Sequence, residues 1–296
     1  MLPTSEGSGG SRGKNAHILI LAHEKDRFET STYYMHGLAQ IWREQGLKVT
    51  VQRGLGPKIE ADVLVQHVDL TVIPDEYVAY ARQYPVVING GTVDISKRAI
   101  SLHLVNRGDG YAGPVIVKTD LNYRGLREAA VLRKRTPFHR AARVIRRSLP
   151  WNWRARPFEY QVFPSPDLVP PEFWSNPDLI VEKFLPERSG DEYISRTYHF
   201  LGDREICYAV YSNNPIMRPG NILRREPMAQ IPEGLRQRRA ALKFDFGKID
   251  WVVVEGEVMV YDANRTPTAG DLALDKLRAR HQLLAEGIKS FLPAKR

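Results

Sequence analysis

Three oxygen-bearing side chains near the C-terminus have spacing suited to a cation site. Asp250 closes the run Phe246-Gly-Lys-Ile-Asp250, and Asp262 and Asn264 lie in the later run Tyr261-Asp-Ala-Asn-Arg-Thr-Pro267. Side chains two apart in a strand share a face, so Asp262 and Asn264 are expected to point the same way. Mg²⁺ prefers octahedral oxygen coordination by carboxylates, phosphate oxygens and water. These residue types therefore favour a magnesium site that binds a nucleotide triphosphate.

The turn between the two strands decides whether Asp250 joins the other two side chains. Residues 248–254 and 257–263 are rich in β-branched and apolar types, and Glu255-Gly256 between them is a turn signal. A three-residue connection places Asp250 opposite Asp262, whereas a two-residue loop places the aspartates on opposite faces. We therefore predict the longer turn, with Gly256 at positive φ. The alternative is an exposed hairpin with solvated acids.

Length and composition are those of an ordinary globular protein. The chain has 296 residues, of which 43% are hydrophobic and 26% charged, enough for two or three compact lobes. No apolar run approaches the ~20 residues that span a bilayer, and residues 1–15 lack the apolar core of a secretory signal. We therefore expect no transmembrane segment and a cytoplasmic location. The single cysteine, Cys207, excludes a disulfide framework and is predicted to be a small core residue.

The net charge of +9 is concentrated in the segment between Glu128 and Glu159, which contains no acidic residue. Its basic residues are Arg133, Lys134, Arg135, Arg140, Arg143, Arg146, Arg147, Arg154 and Arg156. Apolar residues recur at helical spacing from Phe138 to Leu149, which predicts a basic amphipathic helix. Such a helix can meet an anionic substrate, nucleic acid or a membrane surface, or can simply present a solvated face. Trp151 and Trp153, followed by prolines, indicate an irregular insertion.

The first third of the chain alternates strands and helices after a disordered tail at 1–15. The predicted strands are 16–22, 47–52, 61–68 and 84–89, and the predicted helices are 30–45 and 75–83. This alternation predicts a small parallel sheet flanked by helices. From Pro114 onward the pattern changes to strands joined by hairpins. Those strands are predicted at 115–118, 179–185, 196–201 and 205–211, before a closing helix at 272–292.

Charged residues interrupt two of these apolar strands. Lys118 ends the strand Pro-Val-Ile-Val-Lys118, where an ammonium group can pair with phosphates. Glu182 and Lys183 interrupt the run Leu179-Ile-Val-Glu-Lys-Phe-Leu185, where a half-buried charge needs a partner. The exocyclic amine of an adenine is one such partner. An internal salt bridge is the alternative.

The combination of these motifs resembles the ATP-grasp superfamily over roughly residues 94–270. The strand ending in Lys118 is similar to the phosphate-binding strand of that family, and Lys97 in Asp-Ile-Ser-Lys-Arg is similar to its earlier phosphate-binding lysine. The run Leu179 to Leu185 resembles the hinge between the two grasping lobes, and Tyr-Asp-Ala-Asn-Arg-Thr-Pro267 resembles the closing motif. Lys97 and Lys118 are closer together than in the larger ligases of the family. Arg124 also stands where glycine is expected.

The resemblance implies an α/β (α+β) ATP-grasp fold with an N-terminal pre-grasp parallel α/β domain. The implied boundaries are 16–106 for the pre-grasp domain, 107–185 for the first lobe, with a basic insertion at 127–171, and 186–296 for the second lobe. The implied cofactors are ATP and Mg²⁺, with two ions expected and Mn²⁺ as a substitute. The implied metal ligands are Asp250, Asp262 and Asn264. The implied nucleotide contacts are Lys97, Lys118, Glu182, Lys183, Phe184, Leu185, Glu187 and Asp191.

The implied reaction is ligation through an acyl phosphate. ATP phosphorylates a small-molecule or peptide carboxylate, and an amine or similar nucleophile then displaces phosphate. Arg196 and Lys118 are the expected catalytic residues, with Arg196 on the acyl phosphate. Arg218, Arg224 or Arg225, in the polar loop 213–226, can complete the anion site, with surface arginines as the preferred interpretation. His199, on the opposite strand face from Arg196, is interpreted as structural.

Two other readings of the same scaffold stay open. One is a kinase that phosphorylates a hydroxyl group of a small molecule, and the other is a non-catalytic module that binds polyanions. Nucleic acid is not an expected partner of the ligase, and a homodimer is compatible with the sequence.

Overall fold

The structure, a computed structural model, describes residues 16–131, 160–269 and 274–292. The predicted tail at 1–15, the basic segment 133–156 with its amphipathic helix, and the two tryptophans at 151 and 153 all lie outside these ranges. No helix within the described ranges is both long enough and apolar enough to cross a membrane.

The N-terminal part is a four-stranded parallel sheet with strand order β2-β1-β3-β4. Its strands are β1 (His17–Ala22), β2 (Lys48–Arg53), β3 (Val63–Gln66) and β4 (Val87–Ile88), and its main helices are α1 (Tyr34–Glu44) and α2 (Asp75–Ala81). Strand β1 is central, and all six of its residues are buried. Its alternate side chains pack in two different apolar clusters, one of which includes residues of α1 and the other residues of α2. The strand–helix alternation thus produces the predicted α/β fold.

A three-stranded antiparallel sheet with order β6-β5-β7 follows. Its strands are β5 (Val115–Thr119), β6 (Gln161–Phe163) and β7 (Leu179–Lys183), and short helices flank it: α3 (Lys97–Ile100), α4 (Leu126–Val131) and α5 (Pro171–Trp174). One face of this sheet, formed by Val115, Val117, Leu179 and Val181, is apolar and packs against Phe173 and Trp174. The other face carries Lys118 and Glu182, so the charged residues share the face away from this core.

The third sheet is antiparallel, with order β11-β10-β9-β12-β13 and with β8 also paired to β9. Its strands are β8 (Glu187–Ser189), β9 (Glu192–Leu201), β10 (Arg204–Ser212), β11 (Ile222–Pro227), β12 (Phe246–Val254) and β13 (Glu257–Asn264). Helix α6 (Glu233–Ala241) covers one face through Leu235, and helix α7 (Leu274–Ala285) lies against α1 and β10. Short 3₁₀ turns occur at Phe28–Thr30, Asn122–Gly125, Pro166–Leu168, Pro219–Asn221 and Glu286–Ser290. We refer to this six-stranded antiparallel sheet as the large sheet.

The hairpin β12–β13 pairs the two aspartates, but by a different route from the predicted one. Asp250 lies opposite Asp262, as the chemistry requires. The predicted three-residue turn is wrong: Val254 pairs with Glu257, so the loop is the two residues Glu255-Gly256, with φ of 53° and 86°. Positive φ at both positions is typical of a type I′ hairpin turn. A β-bulge beside Asp250 adds one residue to β13 and brings both aspartates back to the same face.

Arg265 fixes the end of β13 to the parallel sheet. Its side chain has no exposed surface and donates to five backbone carbonyl groups: Val68, Leu70, Thr71, Thr92 and Val93. Those carbonyl groups belong to the loops that follow β3 and β4. Burial lowers the pKa of Arg265 to about 10, so the guanidinium stays charged at neutral pH. The hairpin that carries the aspartates is therefore held against the carboxyl edge of the parallel sheet.

A buried aspartate at the same edge of the parallel sheet should make stability depend on pH. The Tyr33 hydroxyl lies 3.0 Å from Asp26 Oδ2 and 2.7 Å from Asp69 Oδ2. One hydroxyl proton cannot serve both carboxylates, so both contacts are satisfied only when Asp26 is protonated. Burial raises the pKa of Asp26 from 3.8 to about 6, with Asp69 adding to the rise and Tyr33 and Arg127 opposing it.

We expect Asp26→Asn to stabilise the protein at pH 8 and to flatten its stability profile between about pH 4 and 6. The folded state holds the Asp26 proton more tightly than the unfolded chain, so wild-type stability should fall as pH rises through this window. The loss is up to roughly 2–3 kcal/mol. Urea unfolding at pH 4.5 and pH 8 measures both effects. An equal slope in Asp26→Asn and wild type would contradict the assignment.

Candidate active site

A cavity of about 420 Å³ lies between the large sheet and the three-stranded sheet. The three-stranded sheet contributes Ile116 and Lys118, and α3 contributes Lys97. The large sheet contributes the face opposite its α6-covered core, because successive strand residues alternate between faces. The volume of the cavity is within the range of small-molecule sites.

Strand register arranges the cavity face of the large sheet in rows. In one row, Tyr208 of β10 pairs with Thr197 of β9, Thr197 with Asp250 of β12, and Asp250 with Asp262 of β13. In the next row, His199 pairs with Lys248, and Lys248 pairs with Asn264. The Thr197 hydroxyl donates to Asp250 Oδ1 at 3.0 Å, which orients that carboxylate. Adjacent strands thus place two acids and a lysine side by side on one surface.

Each aspartate of this surface is paired with a lysine. Lys97 Nζ lies 2.6 Å from Asp262 Oδ1, and Lys248 Nζ lies 2.7 Å from Asp250 Oδ2. Burial alone would raise the pKa of Asp262, but Lys97, Lys248 and Lys118 together lower it. Both carboxylates are therefore held next to positive charge, and Asp262 is ionised at neutral pH.

Lys118 and Glu182 form a second, more deeply buried ion pair. Glu182 has no exposed surface, and its two carboxylate oxygens accept from Lys118 Nζ at 2.5 Å and from the Ser101 hydroxyl at 2.5 Å. Lys118 itself lines the cavity. The structure therefore contains the internal salt bridge that the sequence left as the alternative, with Lys118 aimed at the cavity and Glu182 behind it.

The predicted hinge contributes to the site mainly through Phe184, which lines the cavity. Its backbone N–H already donates to the Pro114 carbonyl at 2.8 Å, and the Leu185 carbonyl accepts from the Tyr261 hydroxyl at 2.7 Å. Lys183 points to the opposite face of β7, where its ammonium lies 4.9 Å from the centre of the Tyr111 ring. The Phe184 N–H and the Leu185 carbonyl of the hinge are thus already hydrogen-bonded within the protein.

The structure does not bring Arg196, Glu187 or Asp191 to the cavity. Arg196 lies on the covered face of the large sheet, where both of its terminal nitrogens donate to Glu187 and its guanidinium lies 5.1 Å from the Trp251 ring centre. Glu187 also accepts from the Val253 backbone N–H at 2.7 Å. Asp191 is exposed in the turn between β8 and β9. Arg196 pairs with Trp251, whereas Asp250 pairs with Thr197. Because successive residues of a strand alternate between faces, Arg196 lies on the opposite face of the sheet from Asp250.

Several residues that sequence reasoning did not select do line the cavity. Lys248 shares the face of Asp250 because it is two residues earlier in the strand, a signal that the sequence contained. Arg218 and Arg225 are exposed, as interpreted from the sequence, and they also line the cavity, as does Arg280 of α7. Arg224 instead pairs with Glu192 and Glu226. His199 faces the cavity and stacks on Tyr34, with its ring centroid 4.8 Å away, and burial lowers its pKa well below the usual value.

The oxygen ligands fit a magnesium ion in part. Asp250 and Asp262 offer two opposed carboxylates on one surface of the cavity. Asn264 Oδ1 accepts from the Thr266 backbone N–H at 2.8 Å, so this oxygen is already engaged, while the Thr266 hydroxyl donates to Asp69 Oδ1 at 2.6 Å. Within the described residues, no cluster of three or more His, Cys, Asp or Glu side chains could hold a metal alone. A cation here would depend on phosphate oxygens or water to complete its coordination.

No protein-family model matches the chain, and no curated protein matches its sequence. Among solved structures, it is similar to an ATP-grasp RimK domain protein from Sphaerobacter thermophilus, with 14% identity and a TM-score of 0.48 over 94% of this chain and 99% of that one. It is also similar to D-alanine–D-alanine ligase from Bacillus anthracis complexed with ATP, with 11% identity, a TM-score of 0.44 and coverage of 94% and 96%. A third is macrocyclase MdnC from Microcystis aeruginosa bound with precursor peptide MdnA, at 11% identity, a TM-score of 0.43 and coverage of 91% and 99%.

Proposed function

We propose that this protein is an ATP-dependent ligase of the ATP-grasp kind, which activates a carboxylate as an acyl phosphate and joins it to an amine. The observation that carries the proposal is the pairing of Asp250 with Asp262 in a cavity that also contains Lys97, Lys118 and Lys248. Two carboxylates beside three ammonium groups suit the magnesium complex of a triphosphate.

The reaction has two balanced steps. A carboxylate oxygen of the acid attacks the γ-phosphorus of ATP, and the bond from that phosphorus to the β–γ bridging oxygen breaks, so ADP leaves with the electron pair. The amine nitrogen then attacks the acyl carbon, inorganic phosphate leaves with its electron pair, and the amine loses a proton. Acid, amine and ATP give an amide, ADP and phosphate.

The lysines meet the main physical demand of the first step. During phosphoryl transfer, negative charge spreads over the moving oxygens, and the protein must position and neutralise it. We assign Lys97 and Lys118 to phosphate oxygens and Lys248 to the same end of the cavity as Asp250. When a phosphate oxygen binds Lys97, Asp262 loses its lysine partner and becomes available to a cation. A magnesium ion held by Asp250 and Asp262, with Mn²⁺ as a substitute, would supply further charge neutralisation.

Three residue assignments differ from those implied by the resemblance. Glu182 is a positioning residue for Lys118, because its carboxylate is fully occupied by Lys118 and Ser101. Arg196 is not assigned to the acyl phosphate, because it is engaged by Glu187 on the other face of the large sheet. Asn264 remains a third metal ligand only in a conformation that gives up its bond to the Thr266 backbone N–H.

Hydroxylamine trapping tests the proposal. The protein, Mg-ATP, hydroxylamine and the small-molecule fraction of a cell extract should yield ADP, inorganic phosphate and an acyl hydroxamate in equal amounts. Mass spectrometry of the hydroxamate then identifies the acid. A phosphorylated product with ADP but no free phosphate would establish a kinase. Tight, salt-sensitive polyanion binding without ATP turnover would indicate a binding module.

A further inference from the structure

We infer that the acid activated at this site carries a second anionic group, and that Arg225 and Arg280 bind it. The inference rests on the proposed function and extends it to the substrate class. Six cationic side chains line the cavity but only two acidic ones: Lys97, Lys118, Lys248, Arg218, Arg225 and Arg280 face Asp250 and Asp262. The excess of positive charge is on the arginine side.

The register places Arg225 on the cavity face of the large sheet. Arg225 of β11 lies opposite Val210 of β10, and Val210 lies opposite Ser195 of β9. Directly opposed residues share a face, and both Val210 and Ser195 line the cavity. Arg225 is therefore in the row next to the one that contains Tyr208 and Asp250.

Arg280 reaches the same region from helix α7. Its guanidinium carbon lies 3.6 Å from the centre of the Tyr208 ring, and Tyr208 is two residues from Val210 on the same face of β10. Arg280 also lies close enough to the Tyr34 hydroxyl to oppose the rise in pKa that burial causes there. Residues two apart in a strand are separated by roughly 7 Å and neighbouring strands by about 4.8 Å. Arg280 over Tyr208 and Arg225 opposite Val210 therefore lie in one region of the cavity, and we assign them to one anion.

The two arginines differ from the lysines in their partners. All three lysines are paired with a carboxylate, at Asp262, Glu182 and Asp250. Within the described parts of the chain, neither Arg225 nor Arg280 forms an ion pair with a carboxylate. Their neighbour Arg224, on the other face of β11, is paired twice. Arginine donors that face a cavity without a carboxylate partner suit a carboxylate or phosphate group of a ligand.

Distance separates this anion site from the phosphate site. Arg225 of β11 is three strand spacings from β12, roughly 14 Å, and Arg280, over Tyr208 of β10, is two spacings away, roughly 10 Å, at about 4.8 Å per strand. The lysines and the aspartates gather at the β12–β13 side, where the triphosphate is assigned. An anionic group at Arg225 and Arg280 therefore belongs to the other substrate, whose reacting carboxylate must lie nearer the aspartates.

Matched acids with one and two charges test the inference. The protein saturated with Mg²⁺ and the non-hydrolysable analogue AMP-PNP is titrated calorimetrically with succinate, glutarate, adipate and 3-phosphonopropionate. The controls are the monomethyl ester of each diacid and the dimethyl phosphonate ester of 3-phosphonopropionate. The diacids and the phosphonate distinguish a carboxylate from a phosphate-like second group. We expect the best dianion to bind at least about tenfold more tightly than its own ester, a difference typical of one charge-assisted contact.

Variants then assign the effect to the two arginines. Arg225→Gln and Arg280→Gln should each weaken binding of the best dianion about tenfold or more and bring the dianion-to-ester ratio below about three. Arg224→Gln is the matched control and should leave both affinities unchanged. All three variants should keep the wild-type affinity for Mg-AMP-PNP.

Three results would overturn the inference. They are an absence of binding by all the dianions, equal binding of dianion and ester in the wild type, and an equal loss for both ligands in the arginine variants. The last would place the arginines at the reacting carboxylate. Failure of Mg-AMP-PNP binding in the wild type would count against the proposed ligase, whereas discrimination between dianion and ester in the nucleotide-free protein would still support the anion site.

Discussion

Asp262→Asn should lower Mg-ATP turnover by about 10²–10³-fold, the range seen when one preorganised electrostatic group is removed from an active site. Asp262 is the aspartate that lies opposite Asp250 and that accepts from Lys97 at 2.6 Å. Asparagine keeps the shape but removes the negative charge that a divalent cation requires. The measurement is ADP release with the acid identified by hydroxylamine trapping and with hydroxylamine as the nucleophile.

A separate binding measurement distinguishes loss of the cation site from general damage. Mg²⁺ should strengthen AMP-PNP binding in the wild type, and this enhancement should be absent in Asp262→Asn. The variant also leaves the buried Lys97 without its carboxylate, so thermal unfolding must show that it is folded at the assay temperature. Asp203→Asn, in an exposed hairpin turn, is the matched control and should behave as wild type. Wild-type turnover in Asp262→Asn would remove the basis for the metal site.

Glu182→Gln should destabilise the folded protein by about 3 kcal/mol or more, because loss of one member of a buried ion pair leaves the other charge uncompensated. Glu182 has no exposed surface, and the Lys118 side chain is only 9% exposed. The glutamine can still bond to Ser101, so the expected loss comes mainly from the ammonium group. Urea unfolding at neutral pH measures the change in free energy of unfolding.

The double variant Lys118→Met with Glu182→Gln tests that cause. Removing the ammonium as well should recover at least about 1 kcal/mol of the stability lost in Glu182→Gln, since no unpaired charge stays buried. Mg-AMP-PNP binding should nevertheless be strongly weakened in the double variant, because Lys118 is assigned to phosphate. Glu257→Gln, an exposed residue next to the β12–β13 turn, serves as the control. Additive losses in the double variant would show that the pair is not coupled.

Local pattern predicted the elements well where one physical cause dominated. The apolar run of β1 is buried on both faces and was predicted as a buried strand, and the alternation around it gave the parallel sheet. The predicted helix at 30–45 begins later, at Tyr34, because a 3₁₀ turn at Phe28–Thr30 precedes it. The closing helix similarly ends at Ala285 and continues as a 3₁₀ turn. Helix ends depend on local hydrogen bonds that periodicity does not encode.

The hairpin shows how a correct pairing can follow from a wrong turn. The hypothesis of a metal site required Asp250 and Asp262 to share a face, and we therefore predicted a longer loop at Gly256. The chain instead uses a two-residue turn and corrects the register with a bulge beside Asp250. Bulges depend on how both strands pack against the rest of the sheet, which no local residue pattern specifies.

By itself, the sequence predicted ten of the thirteen strands that the structure describes, missing β6, β8 and β11. It also predicted the alternation of side chains within each strand and the presence of oxygen and ammonium groups suited to a nucleotide. The tertiary structure decided which of these groups meet. It brought Lys97 to Asp262 across 165 positions of sequence, turned Glu182 to Lys118, placed Arg196 behind the large sheet and brought Arg280 from α7 into the cavity. The reason is physical: face and period are local properties of a strand, whereas the partner of a charge is set by the packing of sheets and helices distant in sequence.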